Sequence, residues 1–193
     1  MAKEREVTIL NIDEEMFIKR LLEHGAIKKD EFLQRRYTYD FNPVVPNKWI
    51  RLRTNGKKTT LTIKEIRNKN AIDGTMELET VVGDFDVMNS ILKELGYVYR
   101  NYQENYRKIY VIENVEISID SWPMIPTYAE IEGKSNEDVV RTLELLGYTL
   151  EEATTLDVTS IYNEIYGIDL LGIKELKFEG SNHESMLEHN KQM

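Results

Sequence analysis

Charged residues recur at every second position along several short segments of the chain. The recurring charges are Glu4 and Glu6, Arg51 and Arg53, Glu77 and Glu79, Glu116 and Asp120 with Ser118 between them, and Glu130 and Glu132. Apolar residues such as Val7, Ile117 and Ile131 occupy the alternate positions. Because successive side chains of a β-strand point to opposite faces, this spacing predicts strands with one charged face and one apolar face.

The two kinds of charge are unevenly distributed along the chain. The first half contributes Arg51, Arg53 and Lys64, and the second half contributes Asp120, Glu130 and Glu132. If the sheet curls with its charged faces inward, such a lining is costly unless the charges pair with one another or with a ligand. Arginine forks bind phosphate oxygens, and carboxylates hold Mg²⁺ or Mn²⁺. We therefore predict a cavity with one polyphosphate-binding wall and one metal-binding wall.

Composition removes most other chemistries. The chain has 193 residues, a net charge of −9, three histidines and no cysteine. These values exclude disulfides, Fe–S clusters, thiolate zinc sites and a cysteine nucleophile, and they argue against general nucleic-acid binding. The dipeptide Gly56-Lys57 lacks the upstream glycine of a P-loop, and no Gly-x-Gly-x-x-Gly is present. No apolar run suggests a membrane span or a signal peptide, so a cytoplasmic protein is expected.

The segments between the charged motifs indicate an α+β fold with two similar halves. Helices are predicted at 13–24, 84–95 and 135–146, with a weaker one at 158–166. Strands are predicted at 3–10, 33–41, 48–54, 58–66, 76–82, 103–112, 115–121 and 127–133. The dipeptide Asn55-Gly56 predicts a two-residue hairpin turn that places Arg53 opposite Lys58 and Arg51 opposite Thr60. Each half then has the order β-α-β-β-β, which is typical of a pseudo-twofold object.

Six motifs occur in the order found in one known superfamily. They are Glu4-x-Glu6, Ile50-Arg-Leu-Arg53, Leu61-Thr-Ile-Lys64, Glu77-Leu-Glu79, Ile119-Asp120 and Glu130-Ile-Glu132-Gly133. In this arrangement the chain resembles the CYTH superfamily of triphosphate tunnel metalloenzymes, which includes class IV adenylate cyclases, thiamine triphosphatase and inorganic tripolyphosphatases. The resemblance implies an eight-stranded antiparallel β tunnel, closed as a barrel, with helices packed outside. It covers a single domain at 1–178. The polar composition of 179–193 predicts a mobile C-terminal tail.

The resemblance also implies roles for individual residues. The metal-binding set would be Glu4, Glu6, Asp120, Glu130 and Glu132, holding two Mg²⁺ or Mn²⁺ ions. The triphosphate would be bound by Arg36, Arg51, Arg53, Lys64 and Arg107. Lys64, Arg53 and Glu79 would act in catalysis, with Glu77 and Glu79 either meeting the second metal ion or orienting Lys64.

Two positions depart from the superfamily pattern. Thr8 stands where the opening motif Glu-x-Glu-x-Lys has its lysine, and Asn105 replaces a second lysine two residues before Arg107. A threonine hydroxyl cannot act as a base near neutral pH, although it can bind phosphate or position a water molecule. The departures therefore bear directly on which activity the chain retains.

Three functions follow from this sequence. The first is a metal-dependent hydrolase of inorganic or organic triphosphates such as tripolyphosphate, ATP or thiamine triphosphate. The second is a class IV-type adenylate cyclase that makes cyclic AMP and pyrophosphate. The third is a triphosphate-binding module without catalysis, because of Thr8. In each case the partner is a small molecule rather than a nucleic acid or a membrane, and a homodimer is left open.

Overall fold

The structure, a computed structural model, describes residues 1–179. The strands are β1 (Ala2–Glu4), β2 (Glu6–Ile9), β3 (Ile27–Asp40), β4 (Lys48–Thr54), β5 (Thr59–Ile66), β6 (Thr75–Val82), β7 (Tyr99–Ile112), β8 (Val115–Ser121), β9 (Tyr128–Glu132), β10 (Ala153–Thr154) and β11 (Glu175–Leu176). The helices are α1 (Glu14–Glu23), α2 (Phe85–Glu94), α3 (Asn136–Leu145) and α4 (Val158–Ser160), and α4 continues as a π-helical turn over Ile161–Ile165. Apart from Glu179, the predicted tail lies outside the described residues.

The three long helices begin where the sequence predicts. Asp13, Asp84 and Ser135 are their N-caps, and each side chain accepts a hydrogen bond from the backbone N–H three residues later. Such a cap satisfies one of the backbone donors that a helix leaves unpaired at its first turn. No helix among residues 1–179 is long and apolar enough to cross a membrane.

The strands form one strongly curled antiparallel sheet, which confirms the α+β class but not the closed eight-stranded tunnel. The strand order is β1-β6-β5-β4-β3-β7-β8-β9-β2-β10, and β11 adds in parallel to β7. Ten strands thus follow one path, and in the described chain its end strands β1 and β10 do not pair with each other. The order is the same on both sides of the central β3–β7 pair, as expected for two β-α-β-β-β halves.

The predicted first strand is divided at Arg5. β1 pairs with β6 at one edge of the sheet, whereas β2 pairs with β9 near the other edge. The Arg5 carbonyl accepts a hydrogen bond from the N–H of Gly133, and the N–H of Glu6 donates to the carbonyl of Ile72. One short N-terminal segment therefore contributes a strand to each side of the curled sheet.

The hairpin between β4 and β5 has a different register from the predicted one. Arg53 lies opposite Thr60 and Arg51 opposite Thr62, because the turn spans residues 55–58 instead of two residues. The Asn55 side chain accepts hydrogen bonds from the N–H groups of Lys57 and Lys58, which closes this wider turn. A slip of two residues preserves the side-chain parity, so the arginines keep the predicted face while Lys58 moves into the turn.

Helices cover the apolar face of the sheet and leave the charged face concave. α1 and α3 pack on β2, β8 and β9, and α2 packs on β3 and β4. The core side chains include Leu21, Leu143, Ile117 and Ile131 in the first contact and Leu52, Phe85 and Leu92 in the second. A third apolar cluster, formed by Trp122, Tyr162 and Leu170 with their neighbours, is contributed largely by the C-terminal segment.

Gly74 closes the loop at 67–74 by a close backbone approach. Its carbonyl accepts from the N–H groups of Arg67 and Asn68, and an added Cβ would lie 1.8 Å from the Asn68 carbonyl oxygen. We expect Gly74→Ala to lower the free energy of unfolding by roughly 1–3 kcal/mol in urea denaturation, because the loop must open. Gly83→Ala is the matched control, since a Cβ there meets no atom within 4 Å. Equal stability of both variants would contradict this account.

Candidate functional site

A cavity of about 290 Å³ lies on the concave face of the sheet. The predicted site residues that line it are Glu4, Glu6, Arg36, Arg51, Arg53, Lys64, Glu79, Arg107, Glu130 and Glu132. Asp120 is fully buried and does not line the cavity, because Arg107 bonds to it from the cavity side. The alternation of side chains along the strands therefore brings the predicted acids and bases to one place.

Lys64 is held between two carboxylates from neighbouring strands. Its Nζ lies 2.8 Å from Glu4 Oε2 and 3.0 Å from Glu77 Oε1. Burial raises the pKa of Glu4 to about 8, despite the opposing charge of Lys64. Burial also opposes ionisation of Glu77, but Lys64 and Arg51 outweigh it and lower the pKa of Glu77 to about 2. The pair thus consists of a protonated Glu4 beside an ionised Glu77 at neutral pH.

Arg51 and Arg53 lie two residues apart on β4 and share the Glu79 carboxylate. Arg51 Nη2 lies 3.0 Å from Glu77 and 3.8 Å from Glu79, and Arg53 Nη2 lies 3.6 Å from Glu79. Burial, followed by repulsion from Arg51 and Arg107, lowers the pKa of Arg53 to about 10. Arg53 therefore keeps its charge at neutral pH although it lies close to two other guanidinium groups, and this arrangement favours an anion between them.

Arg107 joins two of the predicted metal ligands. Its Nε and Nη2 donate to both oxygens of Asp120 at 2.8 and 2.6 Å, and Nη2 also donates to Glu130 at 2.5 Å. Ser118 donates to Asp120 as well, at 3.2 Å. Arg107, predicted to bind phosphate, is therefore shared between two carboxylates that are predicted to bind metal.

The two departures from the superfamily pattern occupy different environments. Thr8 is buried on β2 between Glu130 on β9 and Thr154 on β10, and it does not line the cavity. Asn105 is fully buried, donates to Asp120 Oδ1 at 2.5 Å and accepts a hydrogen bond from Arg36. Asn105 therefore links one of the buried acids to one of the cavity bases.

The carboxylates from β2 and β9 in the cavity are the type of ligand that a hard divalent cation prefers. Glu6 faces Glu132 across β2 and β9, and Glu130 lies on the same face of β9. Oxygen donors of this type are the ligands that Mg²⁺ and Mn²⁺ prefer. Among residues 1–179, however, no group of three acidic or histidine side chains is already arranged to hold a metal ion. Lys64 contacts Glu4 and Arg107 pairs with Glu130, so metal binding requires Glu4 to lose its proton and both contacts to exchange.

Several residues that line the cavity could not be predicted from the sequence. Arg100 lines the cavity and bonds to Asp40 at 2.7 Å. Strand parity could not identify it, because the β3–β7 register shifts between Thr38 and Tyr39 and leaves Arg100 unpaired in the ladder. Trp49 and Trp122 also line the cavity.

The acids of the cavity predict a pH-dependent stability. Burial and the charge of Glu130 raise the pKa of Glu6 to about 7, and Glu4 titrates near 8, whereas both have an ordinary value of 4.5. The folded protein therefore holds protons that the unfolded chain releases. This stabilisation is complete below pH 4.5 and is lost as the pH rises through 7 to 8.

We therefore expect the Tm in EDTA to fall between pH 5 and pH 8.5, and Mg²⁺ to oppose this fall by replacing the protons. The combined variant Glu4→Gln, Glu6→Gln should flatten part of the profile, measured by thermal unfolding, because Glu132, whose pKa burial also raises to about 7, remains. A wild-type Tm that is constant over this range would contradict the assignment of these protons.

Solved structures share this fold over nearly their whole length. A conserved hypothetical protein from Pyrococcus furiosus matches with a TM-score of 0.69 at 23% identity, over 80% of this chain and 97% of that chain. A candidate adenylate cyclase from Vibrio parahaemolyticus matches with a TM-score of 0.71 at 15% identity, over 83% and 98%. A candidate adenylyl cyclase from Hippeastrum, described as having a dominant triphosphatase activity, matches with a TM-score of 0.60 at 17% identity, over 87% and 97%.

No protein-family model matches the sequence, and no curated protein matches it at a significant level. At these identities, the likeness to solved structures establishes the fold. This shared fold agrees with the strand order that the charged motifs predict, and the structure places those motifs on one concave face. The chain therefore shares the fold of solved structures that include candidate adenylate cyclases, in agreement with the fold that the resemblance to the CYTH superfamily implies.

Proposed function

We propose that the protein is a divalent-metal-dependent triphosphatase that cleaves phosphoanhydride bonds in the concave cavity. The observation that carries the proposal is the lining of this cavity, in which basic side chains from β3, β4, β5 and β7 face carboxylates from β1, β2 and β9. A chain of phosphates with bound cations matches both walls, since phosphate oxygens suit arginine and the cations suit carboxylates.

Arg51, Arg53 and Lys64 would bind the non-bridging oxygens of the triphosphate. They lie on the same face of the β4–β5 hairpin, so one phosphate chain can contact all three. Fixed cations of this kind stabilise the charge that develops on the transferred phosphoryl group. Glu79 orients the two arginines, and Glu77 holds the ammonium group of Lys64.

The opposite wall would hold the metal ions. Glu4, Glu6, Asp120, Glu130 and Glu132 supply the oxygen ligands once Lys64 and Arg107 turn to phosphate. Bound Mg²⁺ or Mn²⁺ would neutralise phosphate charge and orient the chain for in-line attack by water. Exchange of partners leaves no buried acid or base uncompensated, because each ion pair is replaced by an acid–metal contact and a base–phosphate contact.

Adenylate cyclase activity is the second candidate function, and one observation favours it. A second pocket of about 310 Å³ shares Trp49, Arg100, Asp157 and Thr159 with the cavity and is also lined by Val44, Val45, Pro46 and Leu171. Apolar and aromatic side chains beside a phosphate site could accept an organic group joined to the triphosphate. Solved structures with this fold include candidate adenylate cyclases.

The two candidates differ in their products. The full chain is incubated separately with tripolyphosphate, ATP and thiamine triphosphate, with Mg²⁺ or Mn²⁺ and with EDTA as the control, and products are resolved by ³¹P NMR. Orthophosphate formed only with metal supports the triphosphatase. Pyrophosphate and cyclic AMP from ATP would assign the cyclase instead. Turnover of none of these substrates would contradict both and leave a triphosphate-binding module.

A further inference from the structure

Arg36 differs from every other cation of the cavity. The lining cations Arg51, Arg53, Lys64, Arg100 and Arg107 each form an ion pair with a carboxylate. Among residues 1–179, no carboxylate forms an ion pair with Arg36, although the side chain is buried. Its charge acts on Asp120 and Glu130 at longer range only.

Neutral groups hold the Arg36 guanidinium in place. Nη2 donates to Gln34 Oε1 at 2.6 Å and to Asn105 Oδ1, and the group lies 4.5 Å from the centre of the Trp122 ring. Such a cation–π contact fixes the orientation of a guanidinium without neutralising it. Nε is buried and has no hydrogen-bond partner. The arrangement positions the cation and leaves donor capacity unused.

A buried cation in this position is costly without a counter-ion. Burial, followed by repulsion from Arg51, Arg53 and Arg107, lowers the pKa of Arg36 to about 9. The group therefore remains charged at neutral pH, at the expense of stability. An anion bound beside it would compensate this charge. No existing ion pair of Arg36 has to break first.

We propose that Arg36 forms a phosphate subsite that binds without metal, and that Gln34, Asn105 and Trp122 are its positioning residues. The ligand is a phosphate group, either free or at the end of a polyphosphate chain. Lys64 and Arg107 must exchange carboxylate partners before they turn to phosphate, and Arg51 and Arg53 are partly compensated by Glu77 and Glu79, whereas Arg36 has no carboxylate partner to leave. Binding thus proceeds in two stages, with the anion docking at Arg36 first and the remaining cations engaging when metal occupies the acids.

The inference rests on the proposed function only because both place a phosphate in this cavity. Isothermal titration calorimetry tests the Arg36 subsite directly. The full chain in EDTA is titrated with tripolyphosphate and, separately, with inorganic phosphate. We expect Arg36→Gln to weaken tripolyphosphate binding roughly 10- to 100-fold, as expected for the loss of charge-assisted hydrogen bonds. Arg53→Gln, which removes an already paired cation, should weaken it less. Arg141→Gln removes an exposed arginine of α3 and should bind as the wild type does.

The two probes separate the two sources of phosphate. Tripolyphosphate bound much more tightly than inorganic phosphate assigns the subsite to the end of a chain, and equal binding assigns it to a free phosphate group. Either result supports the subsite. Wild-type protein that binds neither probe in EDTA, or an Arg36→Gln variant that binds as tightly as the wild type, would overturn the proposal.

Stability provides a second readout. Because Arg36→Gln removes an uncompensated buried charge, its Tm in phosphate-free EDTA buffer should rise by about 2–4 °C. A large decrease in Tm would instead show a structural role, and Arg36→Lys, which keeps the charge, would then have to restore both Tm and binding. Turnover with Mg²⁺ but no binding in EDTA would refute this subsite and leave the triphosphatase intact. Binding in EDTA without turnover would support the subsite and contradict the triphosphatase.

Discussion

The substitution Arg107→Gln is expected to lower the free energy of unfolding by about 3–5 kcal/mol, measured by urea denaturation in EDTA. Arg107 supplies two hydrogen bonds to Asp120, which is fully buried, and one to Glu130. Its loss leaves buried carboxylates without a counter-ion. Lys108→Gln on the same strand is the matched control, because Lys108 pairs with Glu14 on the outer surface and exposed pairs contribute about 1 kcal/mol or less.

Mg²⁺ should restore much of the stability that Arg107→Gln loses. Removing the arginine frees the carboxylates of Asp120 and Glu130, so they can accept a cation without first breaking an ion pair. The loss should also shrink towards pH 5, where buried carboxyl groups take up protons. A variant whose deficit is unchanged by Mg²⁺ and by pH would show that Arg107 acts through packing instead of charge.

Arg53→Gln should reduce metal-dependent hydrolysis of tripolyphosphate by roughly 10²- to 10³-fold, the range expected when one fixed donor to a developing negative charge is removed. Stability should change by no more than about 1 kcal/mol, because the nearest carboxylate, Glu79, lies 3.6 Å away and is also shared with Arg51. The initial rate of orthophosphate release, compared with urea denaturation, separates the two effects.

Arg53→Lys is the companion variant. Lysine keeps the positive charge but loses the planar fork that binds two phosphate oxygens. We expect it to recover part of the rate lost in Arg53→Gln. Hydrolysis by Arg53→Gln at the wild-type rate would remove Arg53 from the proposed machinery, and a collapse of stability would make the rate uninformative about catalysis.

The faces of the strands could be predicted from sequence because alternation depends only on parity. Arg51 and Arg53 reached the predicted face even though their hairpin is two residues out of the predicted register. Side-chain parity does not predict the curvature of the sheet or its local register shifts. The division of the first strand at Arg5 depends on which edges meet in space, and the orientation of Arg100 depends on a register shift in β7.

Which charged residues pair with each other inside the cavity also could not be predicted from the sequence. Alternation predicts that Arg107, Asp120 and Glu130 lie on one surface, but it cannot predict that the arginine bonds to both acids. The role of Asn105 could not be predicted either, because the sequence shows only that it replaces a lysine of the superfamily pattern. In the fold it connects Arg36 to Asp120. These contacts depend on the distances between strands, and the alternation of residues in the sequence gives no information about those distances.

The division of the N-terminal segment at Arg5 has a consequence for the order of folding. Glu6 pairs with Glu132, which lies almost the whole length of the sheet-forming chain away, and Glu4 pairs with Thr75. Contacts between residues so distant in sequence close a large loop and form slowly. β1 and β2 are therefore among the last strands to find their partners. Since these strands carry Glu4 and Glu6, the cavity lacks both acids until β6 and β9 have formed.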